Sequence, residues 1–351
     1  MGIEILAWLI EATLASSLAI ILVMALRGPV RRGFGAEVAY ALWGLVPTAL
    51  LAVSLPPLAR GQLAVMQGPP AAFSVGNATE LAAAATSAGI PWLAAWLGGA
   101  LGLLLVQARR QRAFVRELGP LQLRPDGLAQ SLCTRGLPAV VGLRPRIVLP
   151  GDFERRYAPV ERELVLEHER VHLRRGDVAA NALAAALRVL FWFNPLLHRA
   201  VETFRHDQEL SCDAIVLRRH PGLRRTYGDA MLKTELAGQR LPLGCHWSGL
   251  HTLKERMMML KTPQLSPARR QAGRLLAAGL VLGLSTLAWA SQPAAPRDDN
   301  MAVSGIAGEA PAYPKAAADA GQGGLVMLKV RVGTDGAARE VQFVADKSTV
   351  A

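Results

Sequence analysis

The stretch that decides the fold and the chemistry reads Leu164-Val165-Leu166-Glu167-His168-Glu169-Arg170-Val171-His172-Leu173. It holds two histidines four positions apart, and a glutamate directly follows the first of them. On an α-helix, residues four positions apart lie on the same face, one turn from each other, so both imidazoles can reach one metal ion. The stretch is therefore predicted to form a helix that carries a metal site.

The pattern His-Glu-x-x-His is typical of zinc peptidases. Neutral imidazole is a good zinc ligand, and zinc lowers the pKa of a coordinated water from ~15.7 to ~7. The pattern predicts Zn²⁺ as the cofactor, His168 and His172 as metal ligands and Glu169 as the general base. The alternative is a surface helix whose two histidines are spaced by chance.

A catalytic zinc site needs a third protein ligand and an open position for water. The best candidate for the third ligand is Glu209, in the run Glu209-Leu210-Ser211-Cys212-Asp213. Asp213 shares its helix face and is expected to hydrogen-bond the far nitrogen of a ligand histidine without touching the metal. An ordinary amphipathic helix would show the same pair, and only the preceding histidines favour a metal site.

Several segments together resemble the BlaR/MecR-type integral membrane zinc metallopeptidases. They are Pro138-Ala139-Val140-Val141-Gly142-Leu143-Arg144-Pro145-Arg146-Ile147-Val148-Leu149-Pro150, His168-Glu169-Arg170-Val171-His172, Arg174-Arg175-Gly176-Asp177, Asn194-Pro195 and Glu209-Leu210-Ser211-Cys212-Asp213. The resemblance covers about residues 1 to 290. It implies that His168, His172 and Glu209 bind zinc and that Glu169 is the catalytic base.

The same resemblance implies a signalling role, in which an external domain senses a compound and the peptidase inactivates a transcriptional repressor. The best-known members sense β-lactams through a serine that has a lysine three residues further on. No serine in this sequence has a lysine at that spacing. Sensing of a β-lactam through an acylated serine is therefore not expected of this sequence.

The composition indicates a membrane protein. The 351 residues are 51% hydrophobic with a mean hydropathy of +0.25, too apolar for an ordinary soluble enzyme. The net charge is +12, and most Lys and Arg residues fall between residues 108 and 274. That distribution favours a cytoplasmic region beside anionic lipid. Direct nucleic-acid binding is not expected, because no motif supports it.

Four apolar segments are predicted to cross the membrane, at residues 3–26, 38–55, 90–107 and 275–290. Arg27, Arg31 and Arg32 are expected in a tight cytoplasmic turn after the first span, which places the N-terminus outside. Residues 56–89 are expected to form a poorly structured external loop. The last segment is short and ends in a signal-like Ala-x-Ala pattern, so cleavage near residues 288–291 stays open. The predicted location is the bacterial inner membrane.

Between the third and fourth spans, residues 137–149 are expected to form short strands or a hairpin. A helix is expected over residues 159–173, ended by Gly176 and followed by Asp177 as the cap of the next helix. Residues 178–197 are apolar enough for a further span. A single crossing there would separate the histidines from Glu209, so this segment is predicted not to cross. His198, Arg205 and His206 are candidates for stabilising an oxyanion.

The tail is predicted to begin with a helical turn at Tyr313 and to continue as a hairpin with a turn at Asp335-Gly336. It resembles the first half of a TonB C-terminal domain.

The three cysteines, Cys133, Cys212 and Cys245, show no paired spacing and are interpreted as structural in a reducing compartment.

The predicted fold is mainly α. It has membrane spans within residues 1–107, a cytoplasmic α+β zinc-peptidase domain at 108–274, a fourth span at 275–290, a linker at 291–312 and a small α+β external module at 313–351.

The leading functional hypothesis is an integral membrane zinc endopeptidase that cleaves a cytoplasmic protein such as a transcriptional repressor. The main alternative is a non-enzymatic envelope anchor that presents the TonB-like module to an envelope partner. A weaker alternative is a DNA-binding membrane regulator, which steeply salt-dependent duplex binding would reveal.

Overall fold

The computed structural model describes residues 2–56, 78–134, 136–142, 144–236, 250–290, 292, 324–332 and 338–348. Helices dominate the described residues. The chain divides into two compact units, Met1–Ala295 and Pro296–Ala351. The first unit contains the candidate membrane helices together with the helix of the His-Glu-x-x-His motif, and the second contains the tail.

In chain order the elements are α1 (Gly2–Phe34), α2 (Ala36–Ala41), α3 (Leu45–Ser54), α4 (Ala78–Leu118), β1 (Leu121–Leu123), β2 (Ala129–Ser131), β3 (Ala139–Val141), β4 (Arg146–Leu149), α5 (Phe153–Arg156), α6 (Pro159–Arg175), α7 (Asp177–Leu190), α8 (Pro195–Arg219), α9 (Arg224–Leu236), α10 (Leu250–Met259), α11 (Pro267–Ala290), β5 (Gly324–Val332) and β6 (Ala338–Ser348). Short 3-10 turns at Leu42–Gly44 and Pro221–Leu223 join α2 to α3 and α8 to α9.

Four helical segments of the described chain are long and apolar enough to cross a membrane. They are Ile5–Phe34, Ala36–Ser54, Pro91–Leu118 and Pro267–Ala290. Each of the four predicted spans overlaps one of them. The last segment has 24 residues, which is sufficient for a bilayer, because α11 begins upstream of the purely apolar run.

The structure corrects two expectations about the ends of these helices. The turn expected at Arg27 to Arg32 is instead a continuation of α1 through Pro29 to Phe34, where Phe34 packs on the apolar core between the spans. The loop expected at residues 56–89 contains the start of α4 at Ala78. An alanine-rich run follows that start, and alanine has the highest helix propensity. Residues 57–77 lie outside the described part.

The predicted boundaries at residues 107/108 and 274/275 fall inside the continuous helices α4 and α11. One compact unit contains both the spans and the region between them. The division into a membrane part and a peptidase domain therefore stays a functional prediction.

The junction between α7 and α8 is partly buried among the candidate spans, at Phe191 and Asn194, whereas Trp192 and Phe193 are exposed. Phe191 and Leu197 belong to the same apolar core as Leu9 and Ile20 of α1. The α4 backbone approaches this junction at Gly99, where an added Cβ would lie 2.2 Å from the Trp192 ring. A side chain at residue 99 would push the two elements apart.

Helix α7 agrees with the predicted path that does not cross the bilayer. It has 14 residues, about 21 Å of helix, which is less than the ~30 Å hydrocarbon core. After four residues the chain enters α8, where the Asn194 side chain accepts a hydrogen bond from the Leu196 amide and caps the helix. Helix α8 then returns to α6.

A four-stranded sheet in the order β1-β2-β4-β3 lies against α6. The expected hairpin within residues 137–149 is present, since β3 pairs antiparallel with β4 and Val140 faces Ile147 in register. The sequence patterns do not predict β1 and β2, which precede this hairpin in the chain. Val140 and Leu149 pack with Val165 of α6, so the sheet supports the helix of the motif.

In the second unit, β5 and β6 pair antiparallel, with Val330 opposite Val341. Two paired strands are thus present where a hairpin is expected. The predicted helical turn at Tyr313, the Asp335-Gly336 turn and the linker except for residue 292 lie outside the described residues. The resemblance to a TonB domain stays a prediction.

Candidate metal centre

Helix α6 presents both histidines of the motif on one buried face. Its first turn begins with Pro159 and is closed by the Glu161 carboxylate, which accepts a hydrogen bond from the Ala158 amide at 2.8 Å. His168 and His172 are both fully buried, and their Nε2 atoms lie 3.0 Å apart. The two nitrogens face the same point.

Glu209 reaches this point from α8. Its Oε2 lies 3.2 Å from His168 Nε2, and its Oε1 lies 3.4 Å from His172 Nε2. Burial opposes ionisation of Glu209, but the two histidines and Arg256 outweigh burial and hold its pKa well below the usual range. The structure thus brings together three predicted ligands that are up to 41 positions apart.

The three side chains fit a zinc ion. Ligands 2.0–2.1 Å from a tetrahedral centre lie about 3.3 Å from one another. The two nitrogens are 3.0 Å apart, and each lies 3.2 or 3.4 Å from one of the two carboxylate oxygens. Two imidazole nitrogens and one carboxylate are a donor set that zinc prefers, with a fourth position left for water.

Cys212 is a second candidate ligand, because donor atoms of His168, His172 and Cys212 lie within 4.8 Å of one another. Its Sγ, however, lies 3.4 Å from His172 Nδ1, the nitrogen on the far side of the ring from Glu209. Burial raises the pKa of Cys212 to about 11, which favours the neutral thiol over the thiolate that binds metals. The set with Glu209 is therefore the better metal site.

Glu169, the predicted base, is buried on α6 beside the histidines, with 1% of its surface exposed. Its Oε2 has no hydrogen-bond partner among the described residues. Burial raises the pKa of Glu169 to about 8. A buried carboxylate oxygen without a protein partner has the capacity to bind a water molecule or a proton of the substrate.

The far nitrogen of His168 is held by Tyr227, a residue that the sequence does not single out. His168 Nδ1 lies 2.7 Å from the Tyr227 hydroxyl, which donates to Asp213 Oδ1 at 2.7 Å. The hydroxyl therefore accepts a hydrogen bond from Nδ1–H of His168, and this tautomer carries the metal-binding lone pair on Nε2. Asp213 is predicted to contact the histidine directly, but its Oδ1 is 3.5 Å away and acts through Tyr227.

Arg256 of α10 completes this side of the centre. It is buried and donates to both carboxylate oxygens of Asp213 at 2.7 Å. Its Nη1 also lies 3.4 Å from Glu209 Oε2. The Arg256 guanidinium therefore contacts both Asp213, which supports His168 through Tyr227, and Glu209, the proposed third ligand.

The far nitrogen of His172 is held by Asp177. Nδ1 lies 2.6 Å from Asp177 Oδ2, and Arg175 donates to both oxygens of that carboxylate. Asp177 is therefore not the cap expected from the sequence. Gly176 has a φ of 73° at the end of α6, and this left-handed turn places the carboxylate back over the preceding helix.

Two of the three residues predicted as oxyanion candidates make hydrogen bonds to other partners in the described structure. His206 pairs with Glu255 at 2.7 Å, and His198 contacts the carbonyl of Trp192 at 2.8 Å.

Tyr227 and Arg256 are functional candidates that the sequence does not reveal, since a single tyrosine or arginine carries no spacing signal. Asp177 carries a weak signal, because it follows a glycine directly after the motif helix.

Comparisons with known proteins place the sequence in a peptidase family. The sequence profile of the family described as BlaR1 peptidase M56 matches residues 7–260. The regulatory protein BlaR1 of Bacillus licheniformis is 31% identical over 146 residues, which is 40% of this chain and 24% of that protein. The methicillin resistance mecR1 protein of Staphylococcus aureus (strain Mu50 / ATCC 700699) is 34% identical over 103 residues, or 28% of this chain and 17% of that protein. The matched segments thus span about a quarter or less of these relatives.

Proposed function

Because this chain belongs to the BlaR1 peptidase M56 family, we propose that it is a membrane zinc endopeptidase in which His168, His172 and Glu209 hold the metal. The observation that carries the proposal is the convergence of two Nε2 atoms and one carboxylate within 3.4 Å of one another. The Nδ1 atoms both face protein partners, so the Nε2 atoms are the ones available to a metal.

When bound, zinc supplies a Lewis acid that makes water nucleophilic near neutral pH and polarises the scissile carbonyl. Glu169 accepts a proton from the attacking water at its unpartnered oxygen and later delivers a proton to the leaving amine. Tyr227 and Asp177 keep the imidazoles oriented through their Nδ1 atoms. The burial of the whole group excludes bulk water from these proton transfers.

We further propose that the active site works at the cytoplasmic side. Arginines occupy the end of α1 and the beginning of α11, and these ends meet where an added Cβ at Gly273 would lie 2.6 Å from Phe34. Clustered basic residues favour the cytoplasmic end of a span. Arg27 of the same end binds Asp207 of α8 at 2.8 Å, two positions before Glu209.

The substrate proposed is a cytoplasmic protein, with a transcriptional repressor as the preferred candidate. The relatives are described as a regulatory protein and as a methicillin resistance protein. A role in regulation and a site at the basic end of the spans both fit proteolysis of a soluble regulator. Comparative proteomics of cells with the wild type and the Glu169→Ala variant would identify the protein that is cleaved.

The test of the metal and base roles uses purified full-length protein. We expect about one zinc per chain in the wild type and in Glu169→Ala, and none in His172→Ala. Glu169→Ala should lower proteolysis by roughly 10²- to 10⁴-fold, the usual contribution of a general base. Glu163→Gln, an exposed glutamate of the same helix, is the control and should keep both properties.

Two results would contradict the proposal. Wild-type protein without zinc would remove the metal centre and favour an anchor without enzymatic activity. Loss of zinc from Glu169→Ala would show that Glu169 is a ligand and not the base.

A further inference from the structure

Tyr40 connects a candidate membrane span to the metal centre. It lies on α2, within the span Ala36–Ser54, and its ring stacks on Phe204 of α8 at a centroid distance of 5.5 Å. Its hydroxyl donates to Asp177 Oδ1 at 3.2 Å. Asp177 is the residue whose other oxygen contacts His172 Nδ1, so one side chain separates the tyrosine from the proposed ligand.

The same hydroxyl also contacts the helix of Glu209. The Gln208 side-chain amide donates to it at 3.1 Å, and Gln208 precedes Glu209 in the chain. The side-chain oxygen Oε1 of Gln208 accepts a hydrogen bond from the Asn181 side chain of α7 at 3.2 Å. The Tyr40 oxygen therefore donates one hydrogen bond and accepts another, and its two partners lie beside two different proposed ligands.

Arg175 lies over the ring of Tyr40. Its guanidinium carbon lies 4.3 Å from the Tyr40 ring centroid, within the range of a cation–π contact. The same guanidinium donates to Asp177 and to the Gln208 carbonyl. The ring positions the arginine, and the arginine positions the carboxylate, so both parts of Tyr40 act on Asp177.

We propose that Tyr40 is a positioning residue of the metal centre, whose hydroxyl fixes Asp177 and thereby the ring of His172. This inference rests on the proposed function, since it requires that His172 binds the metal. A residue of a candidate membrane span thus helps to hold a metal ligand in place. Through this contact, the position of α2 relative to α7 sets the orientation of one metal ligand.

The experiment measures metal binding by full-length protein in detergent. Zinc dissociation is measured by competition with a chromophoric chelator, and the visible absorption of the cobalt-substituted protein reports ligand geometry. Loss of an outer partner of a metal ligand typically weakens metal binding 10- to 100-fold. We expect roughly this loss for Asp177→Ala, and roughly a threefold to tenfold loss with shifted cobalt bands for Tyr40→Phe, which acts one contact further out.

A double-mutant cycle separates positioning from packing. If the hydroxyl acts through Asp177, Tyr40→Phe should have no further effect on zinc affinity when Asp177 is already alanine. Ser17→Ala is the matched control. It also removes one hydroxyl of a membrane helix that bonds a residue of the α7–α8 region, here Asn194 at 3.0 Å, and it should leave zinc affinity and the cobalt bands unchanged.

The outcomes distinguish this inference from the proposed function. Wild-type protein that binds neither zinc nor cobalt would overturn both. Wild-type protein that binds metal, together with unchanged affinity and cobalt bands in Tyr40→Phe, would overturn only the role of Tyr40. An equal loss of affinity from Tyr40→Phe with and without Asp177 would also overturn it, because the effect would not pass through that carboxylate.

Discussion

At the scale of single residues, the centre combines three buried acids with two arginines. Asp177, Asp213 and Glu209 are buried acids, and Arg175 and Arg256 donate hydrogen bonds to two of them. Buried charges are stable only when they are paired or bind a metal. Three carboxylates against two guanidinium groups leave a negative excess, which favours a divalent cation at the histidines.

The role of Tyr227 leads to a prediction about one hydroxyl. Tyr227→Phe leaves His168 Nδ1 and Asp213 without the group that joins them. We expect zinc affinity to fall roughly 10- to 100-fold, as for other outer partners of metal ligands. Chelator competition on purified protein measures the change.

The control for this variant is Tyr157→Phe. Tyr157 is also buried, and its hydroxyl lies 2.8 Å from the Thr234 hydroxyl, outside the hydrogen bonds of the metal centre. Both variants lose a buried hydrogen bond and should be destabilised by about 1–3 kcal/mol. Equal zinc affinity in the two variants would show that Tyr227 supports only the fold.

At the scale of elements, the centre depends on how α6, α7 and α8 are joined. The left-handed turn at Gly176 ends α6 and turns the chain so that the first residue of α7 contacts the last turn of α6. The short α7 then leads into α8, whose return brings Glu209 to the histidines. At the α7–α8 junction, Phe191 packs in the apolar core between the candidate spans.

Substitution of Gly176 tests this turn. An alanine there meets no atom within 4 Å, so its only cost is the left-handed backbone, about 1–2 kcal/mol for a residue with a Cβ. We expect Gly176→Ala to lower the thermal midpoint of the purified protein. Gly176→Asn should lower it less, because asparagine tolerates this conformation.

Equal midpoints for the alanine and asparagine variants would contradict the backbone explanation. Zinc content, measured on the same samples, shows whether the turn also keeps Asp177 in place.

At the scale of the whole molecule, candidate spans and the metal centre belong to one compact unit. Asp207 of α8 is buried and accepts hydrogen bonds from Arg27 of α1 and from the Trp43 indole. Breaking a buried charge pair typically costs 3–5 kcal/mol. The candidate spans are therefore bound to α8, the helix that carries Glu209, through buried polar contacts.

The proposed orientation predicts which side of the membrane each loop faces. In a background with Cys133→Ser and Cys245→Ser, a cysteine introduced at Leu55 should react with an impermeant maleimide in intact cells whose outer membrane is permeabilised. A cysteine introduced at Arg110 should react only in inverted vesicles. Both positions are exposed. The reverse labelling pattern would place the metal centre outside and exclude a cytoplasmic substrate.

Much of the architecture could be predicted from sequence because it depends on local patterns. Apolar length predicts the four candidate spans, and the spacing of His168 and His172 predicts their common helix face. The ends of α1, α4 and α11 differed from the prediction. Packing against other helices, as for Phe34, extends a helix beyond its apolar run.

The sequence by itself determined the helix with the two histidines and the base, because four-residue spacing on a helix is a local property. Only the tertiary structure decided which residues hold the far nitrogens of those histidines and which residues support these partners in turn. Tyr40, Tyr227 and Arg256 come from three separate helices, and each is a single residue without a spacing pattern. Their positions follow from the packing of α2, α9 and α10 around α6 and α8, and contacts between distant segments leave no periodic signal in one sequence.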